Sequence, residues 1–281
     1  MVQKKFFTEV VLLTKSYNLQ DFKDWMHWHL DIIGFQRCHI FDNESSVDIK
    51  SVCDSYGDRV TYELIKGWPN QYALYNRYIN NESPAWWVLP IDDDEFLYVS
   101  DKYKNNIKFA LLTLQKQYPD MQKLSMSWKN MFPTDFINER SNPHKILNAT
   151  SWCNQASEIW QAGNRPVKTF VNMQCRFMWA DKYGLHRTHD PFVLPYDVPG
   201  RTADGTIVCN SWQINPTPTN SDVILYHYQF VCNHEWIYKC TQRKSAATKK
   251  NWKNHPEKYG DLYDYKQYFQ IDTRMVDLWN G

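Results

Sequence analysis

Along the first 128 residues the apolar positions follow two spacings. Short dense runs suit strands buried on both faces, and longer stretches carry one apolar stripe at helical spacing. Phe6 to Lys15 reads as the first strand. Asn18 then caps a helix expected from Leu19 to Ile33, with Phe22, Trp25, Met26, Leu30 and Ile33 on one stripe and Gly34 ending it. A second strand, Arg37 to Phe41, stops at Asp42-Asn43. A weaker helix near Val47 to Tyr56, a strand at Val60 to Leu64, a helix from Pro69 to Asn81 and a very apolar strand at Ala85 to Ile91 follow. Phe96 to Val99, a helix near Asn105 to Gln117 and a strand at Lys123 to Trp128 complete this half. Strands alternating with helices predict an α/β fold, a central mostly parallel sheet flanked by crossover helices.

Beyond Trp128 the rhythm loosens. Ser141-Asn142-Pro143, Gly163-Asn164-Arg165-Pro166 and the Pro- and Thr-rich stretch Asn215 to Asn220 punctuate short strands. A strand is expected at Val223 to Tyr228, then a helix near His234 to Lys244 and a Lys- and Tyr-rich tail. With no internal repeat, low-complexity tract or linker, the chain reads as one domain.

Composition narrows the function classes. The 281 residues carry 32 basic and 31 acidic side chains, a formal net charge of +1, so nucleic acid is not an expected partner. Nine glycines never form G-x-G-x-x-G; Gly200 and Gly205 have P-loop spacing, but Thr206-Ile207 replaces the Lys and Ser or Thr a P-loop needs. Seven scattered cysteines without a C-x-x-C point to a reducing compartment rather than a disulfide framework or zinc knuckle. The N-terminus lacks a small-residue cleavage site, and no apolar run approaches the roughly 18 residues of a transmembrane helix. A soluble cytoplasmic protein is therefore expected, in which the sequons at Asn43, Asn81 and Asn148 carry no weight.

The string with most chemistry is Trp86-Trp87-Val88-Leu89-Pro90-Ile91-Asp92-Asp93-Asp94-Glu95-Phe96. Four acids directly after a buried strand concentrate negative charge at a strand's carboxyl end, where open α/β sheets bind ligands. An acidic run can be a solvated turn, but an exposed turn rarely sits between two core segments. In extended chain Asp92 and Asp94 share a side and can converge on one hard divalent ion, with Asp93 pointing away.

These residues and others in a fixed order resemble the GT-A glycosyltransferases, specifically the family-2-like and family-92-like group with its D-x-D-E-F motif after a Trp-containing strand. Asn18, Asp24-Trp25, His29-Leu30, Gly34 and His39-Ile40-Phe41-Asp42-Asn43-Glu44-Ser45 are similar to that group's opening pattern, and Gln71, Ala73 and Tyr75-Asn76 to the segment before its acidic motif. Further on, Lys168-Thr169-Phe170-Val171, Gly184-Leu185-His186 and Tyr226-His227-Tyr228 with Glu235-Trp236 and Lys239 resemble its later elements. Two departures stand out. Asn18 is followed by Leu19-Gln20 where the group has a Glu, and Met131 to Gln161, where an acceptor-binding segment would fall, has no counterpart.

The resemblance implies a GT-A fold with a nucleotide-binding half (1–128), an acceptor-binding half (129–245) and the C-terminal tail (246–281). It also implies Mn²⁺ (or Mg²⁺), a UDP-sugar donor and a glycan hydroxyl as acceptor. Asp94 would bind the metal directly, Asp92 would reach it or the ribose, and His227 would be the late third ligand, with His186 and His189 in reserve. Asp42 would accept from the uracil N3–H or the ribose, Thr14 and Tyr17 would contact the base, and Gln71 and Lys168 the sugar or diphosphate. Inverting transfer needs a carboxylate base, expected to be Asp190 ahead of Glu158 and Asp135, with Trp128 or Trp212 near the acceptor. The competing readings are a metal-dependent nucleotidyl- or phosphotransferase and a non-catalytic carbohydrate-binding protein.

Overall fold

The computed structural model describes residues 3–67, 69–153, 167–178, 191–194, 198–208, 221–229, 231–241 and 269–281. The first half comprises β1 (Phe6–Thr14), α1 (Leu19–His27), β2 (Arg37–Asp42), α2 (Ile49–Ser55), β3 (Val60–Leu64), α3 (Gln71–Asn81), β4 (Ala85–Ile91), β5 (Glu95–Val99), α4 (Ile107–Gln117) and β6 (Lys123–Asn130). The second half adds β7 (Ser151–Cys153), β8 (Val167–Asn172), β9 (Arg176–Met178), β10 (Phe192–Leu194), β11 (Gly200–Arg201), β12 (Ile207–Val208), β13 (Val223–His227), α5 (Asn233–Thr241), β14 (Phe269–Ile271) and α6 (Arg274–Asn280).

Asparagines start the main helices. Asn18 Oδ1 accepts from the Gln20 and Asp21 amides, Asn70 from Ala73 and Asn106 from Phe109, each satisfying N–H groups that the first helical turn leaves open. The expected helix to Ile33 is not a single α-helix: α1 ends at His27 and continues as a π turn, Trp28–Ile32. The wider turn points two rings at β5. The Trp28 indole donates to the Leu97 carbonyl at 2.7 Å, and His29 accepts from the Leu97 amide at 3.3 Å while its other ring nitrogen meets the Trp25 carbonyl.

The main sheet runs β12-β11-β6-β8-β4-β1-β2-β3. β3, β2, β1 and β4 are mutually parallel. β8 is inserted antiparallel between β4 and β6, and β13 joins the end of β6 in parallel while pairing antiparallel with β5. The sheet is thus mixed α/β, mostly parallel and flanked by helices. Both faces are covered, which is why the strands read as dense apolar runs. Val10 and Leu12 of β1 join one core cluster with Trp25, Trp28 and Leu111, and Val11 joins the other with Phe41, Tyr75 and Ile79. Strand order reverses between β1 and β4, the kind of switch point at whose carboxyl edge open α/β sheets bind ligands.

The end of the C-terminal tail docks on the core. Phe269–Ile271 pairs antiparallel with β7, and α6 inserts Met275 into the core while Trp279 stacks on Trp28 at 6.2 Å. Asp272 explains the docking: it meets the buried Lys129 ammonium and accepts from Tyr226 Oη at 2.7 Å. No helix among the described residues is long and apolar enough to cross a membrane.

Candidate active site

β4 delivers the acidic string to the carboxyl edge of the sheet, but as a tight turn and not as extended chain. The Glu95 amide bonds the Asp92 carbonyl at 3.2 Å, and the Asp92 amide donates to Glu95 Oε2 at 2.8 Å. The Trp25 indole caps the turn from below, 3.1 Å from both the Asp92 and Glu95 carbonyls. This turn overturns the i, i+2 geometry expected of Asp92 and Asp94. Asp93 does not point away: its Oδ2 accepts from Thr14 Oγ1, at the end of β1, at 2.7 Å. Asp92 instead faces Lys168 of β8, whose ammonium lies 3.0 Å from Asp92 Oδ2 and 3.3 Å from Glu95 Oε2.

Lys168 is 2% exposed, so it is an internal counter-cation for the turn. Burial pushes the Glu95 carboxyl well up from its ordinary value and the lysine opposes that shift. Lys168 is itself raised despite its burial, by the Asp92 and Glu95 charges. The second carboxylate oxygen of Glu95, Oε1, is buried without a hydrogen-bond partner.

Asp94 turns the other way and meets His227 at the end of β13. His227 Nε2 is 3.4 Å from Asp94 Oδ1, and both side chains are nearly buried, at 8% and 9% exposure. The strand ends hold this pair by backbone bonds: the Tyr228 amide donates to the Asp94 carbonyl at 2.7 Å and the Met131 amide to the His227 carbonyl at 3.0 Å. His227 Nδ1 lies 2.8 Å from Asn130 Oδ1, and the Trp128 ring packs on the imidazole with centroids 4.4 Å apart. Among the described residues no three His, Cys, Asp or Glu side chains form a metal-binding group by themselves. Asp94 and His227 supply one carboxylate and one imidazole, donor types that suit a divalent transition-metal ion.

The other expected site residues divide. Asp42 ends β2 and is 6% exposed, but both its oxygens are engaged, one by the Ser45 amide at 2.8 Å and the other by Tyr62 Oη at 2.7 Å. It therefore organises the turn after β2 as an Asx residue does. The Tyr17 ring packs at a tilt on Tyr238, with centroids 4.2 Å apart, and burial pushes its phenol up to about 12. Gln71, at the start of α3, donates to Tyr75 Oη at 3.1 Å. Thr14, Asp42, Asp92, Asp93 and Asp94 all follow the carboxyl ends of β1, β2 and β4. Asp135 is exposed on the segment after β6. Asp190, Glu158, His186, His189 and Trp212 lie outside the described residues.

No family model and no curated protein matches the chain. Among solved structures it is similar to the 1–349 fragment of S. aureus TarS in complex with UDP, at 11% identity and a TM-score of 0.32, over 60% of this chain and 47% of that one. It is also similar to 4-diphosphocytidyl-2C-methyl-D-erythritol synthase from Anaerococcus prevotii DSM 20548, at 7% identity and a TM-score of 0.31, over 60% of this chain and 71% of that one. The chain thus spans less than half of the TarS fragment.

Two features of the site were not foreseen from sequence. Asn130, two residues past the expected end of its strand, bonds His227. A buried ionic cluster also walls the edge: Arg140 pairs with Asp21 and Glu235, and Lys145 stands 3.6 Å from Glu235. The cluster ties the segment after β6, which has no counterpart in the family pattern, to the first turns of α1 and α5. A strongly basic pair in an otherwise polar loop was the available signal, but its acidic partners are more than 90 residues distant.

Proposed function

We propose that the chain is a divalent-metal-dependent glycosyltransferase that moves a sugar from a nucleoside diphosphate sugar, UDP-sugar in this reading, to a glycan hydroxyl by inversion. The observation that supports it most is the meeting of Asp94, in the acidic turn after β4, with His227, at the end of β13, at the carboxyl edge of the sheet. Bound there, Mn²⁺ or Mg²⁺ would neutralise charge on the departing diphosphate.

The chain's own residues have separate tasks. Asp94 and His227 hold the ion. Lys168 compensates Asp92 and Glu95, so the turn keeps its shape before any ligand arrives. Asp92, one-third exposed, would be available to the ribose or the ion. Thr14, Tyr17 and the Asp42 turn form the base side, and Gln71 the sugar side. Asp190 would take the proton from the acceptor hydroxyl, leaving an oxygen nucleophile aimed at the anomeric carbon.

Calorimetry of UDP against wild type and Asp94→Asn, each with and without Mn²⁺, tests the reading. Tight binding only for wild type with Mn²⁺ is expected, because two phosphates beside four acids otherwise repel. Equal affinity in all four conditions overturns it. A panel of nucleotide sugars with Mn²⁺, scored for slow hydrolysis, then identifies the donor; pyrophosphate release from a nucleoside triphosphate would favour nucleotidyl transfer instead.

A further inference from the structure

We infer that Asn130 is the positioning residue that holds His227 in its Nδ1–H form, so that Nε2 presents a lone pair beside Asp94. The inference rests on the metal reading of the Asp94–His227 pair and names a residue on which that pair depends. A neutral imidazole carries one N–H. Asn130 Oδ1 can only accept, and at 2.8 Å from Nδ1 it places the proton there. In the neutral ring Nε2 is then an acceptor 3.4 Å from a carboxylate oxygen, a contact that a metal cation, or a second proton on the ring, would make favourable.

The fold makes this contact independent of loop geometry. β6 and β13 are parallel neighbours, and Asn130 and His227 are register partners at their last residues. Side chains two apart on a strand share a face, so Trp128 lies beside Asn130 and closes over the imidazole, limiting its rotation. The partners one residue back, Lys129 and Tyr226, face the opposite side and meet Asp272. One face of this strand pair anchors the C-terminal segment while the other orients the histidine. Rotation of the Asn130 amide would offer Nδ2–H to the ring and force the proton onto Nε2, which would then bond Asp94 directly and exclude a cation from Nε2.

The test is a long-range proton–nitrogen correlation spectrum of the full chain labelled with ¹⁵N-histidine, His227 being assigned by its loss in His227→Gln. The Nδ1–H tautomer is expected in wild type without any metal; the Nε2–H tautomer overturns the inference. Mn²⁺ affinity in the presence of UDP, read from the paramagnetic resonance of free Mn²⁺, supplies the second measurement. Asn130→Leu should weaken it by about 10-fold or more, with a mixed tautomer, whereas Asn130→Asp, which keeps an acceptor, should retain both tautomer and affinity. Asp94→Asn separates the two claims. If that variant loses Mn²⁺ and Asn130→Leu does not, the role of Asn130 falls alone; if Asp94→Asn binds Mn²⁺ as wild type does, the metal reading falls. The wild-type spectrum needs no variant, so the tautomer is decided even if Asn130→Leu fails to fold.

Discussion

His39 shows how one buried side chain sets a pH response. Its ring stacks on Tyr78 at 3.8 Å and its Nδ1 meets Thr61 Oγ1 at 2.7 Å. Burial, reinforced by Arg37 and Arg77, pushes the imidazole down to about 3. An unfolded histidine titrates near 6.5, so between these values the unfolded chain binds a proton that the native chain refuses, and stability falls as pH falls below about 6.5. Glu95, raised by burial, works in the opposite sense, so a difference between variants isolates the histidine. Between pH 6.5 and 5, wild type should lose about 2 kcal/mol more than His39→Gln, measured by urea unfolding at each pH. At the same scale, the sequence pointed to the acidic string and to His227, which do stand together. It misplaced Asp93 because side-chain direction there follows from a turn closed by Glu95 and Trp25, not from strand alternation. Lys168 was expected to reach a ligand; in the fold it is buried against Asp92 and Glu95 of the turn between β4 and β5, a pairing beyond what local pattern carries.

Gly34 links two elements. With φ at 81° it ends the π turn after α1, and a Cβ there would come within 2.5 Å of Asn106 Nδ2, the side chain that caps α4. Gly34→Ala should therefore strain the left-handed backbone and disturb the cap together, costing about 2 kcal/mol as a lowered urea midpoint with unchanged m. If the cap is the larger part, Asn106→Ala in the alanine background should cost less than in wild type. Element positions were the most legible layer: β3 and β4 have the expected limits, and Asn18 caps α1 as expected. The π turn was not legible, because Met26, Leu30 and Ile33 keep an ordinary helical stripe whether the turn holds four residues or five. The antiparallel insertion of β8 was equally hidden, since strand direction leaves no trace in a dense apolar run.

At the scale of the molecule, Lys129 and Asp272 join positions 143 residues apart. Both are nearly buried, and burial lowers the lysine to about 8 while Arg274, Lys129 and Tyr226 hold the aspartate far below the carboxylate range. Asp272→Ala leaves an uncompensated buried ammonium and should cost roughly 3–5 kcal/mol, seen as a large drop in Tm; pairing it with Lys129→Met should recover part of the loss. The docking of the tail's end was not legible for the same reason of distance: a single Asp in a polar stretch acquires its meaning from a lysine in a strand. The place of β8 in the sheet order has a further effect, on the emerging chain. β3, β2, β1 and β4 can pair as soon as residue 91 is made, but β6 has no neighbour on its β4 side until residues 167–172 appear. For the interval of synthesis between them, two apolar strand edges stand open at once, and that window is where an unfinished chain is most exposed to edge-to-edge association and to chaperone capture.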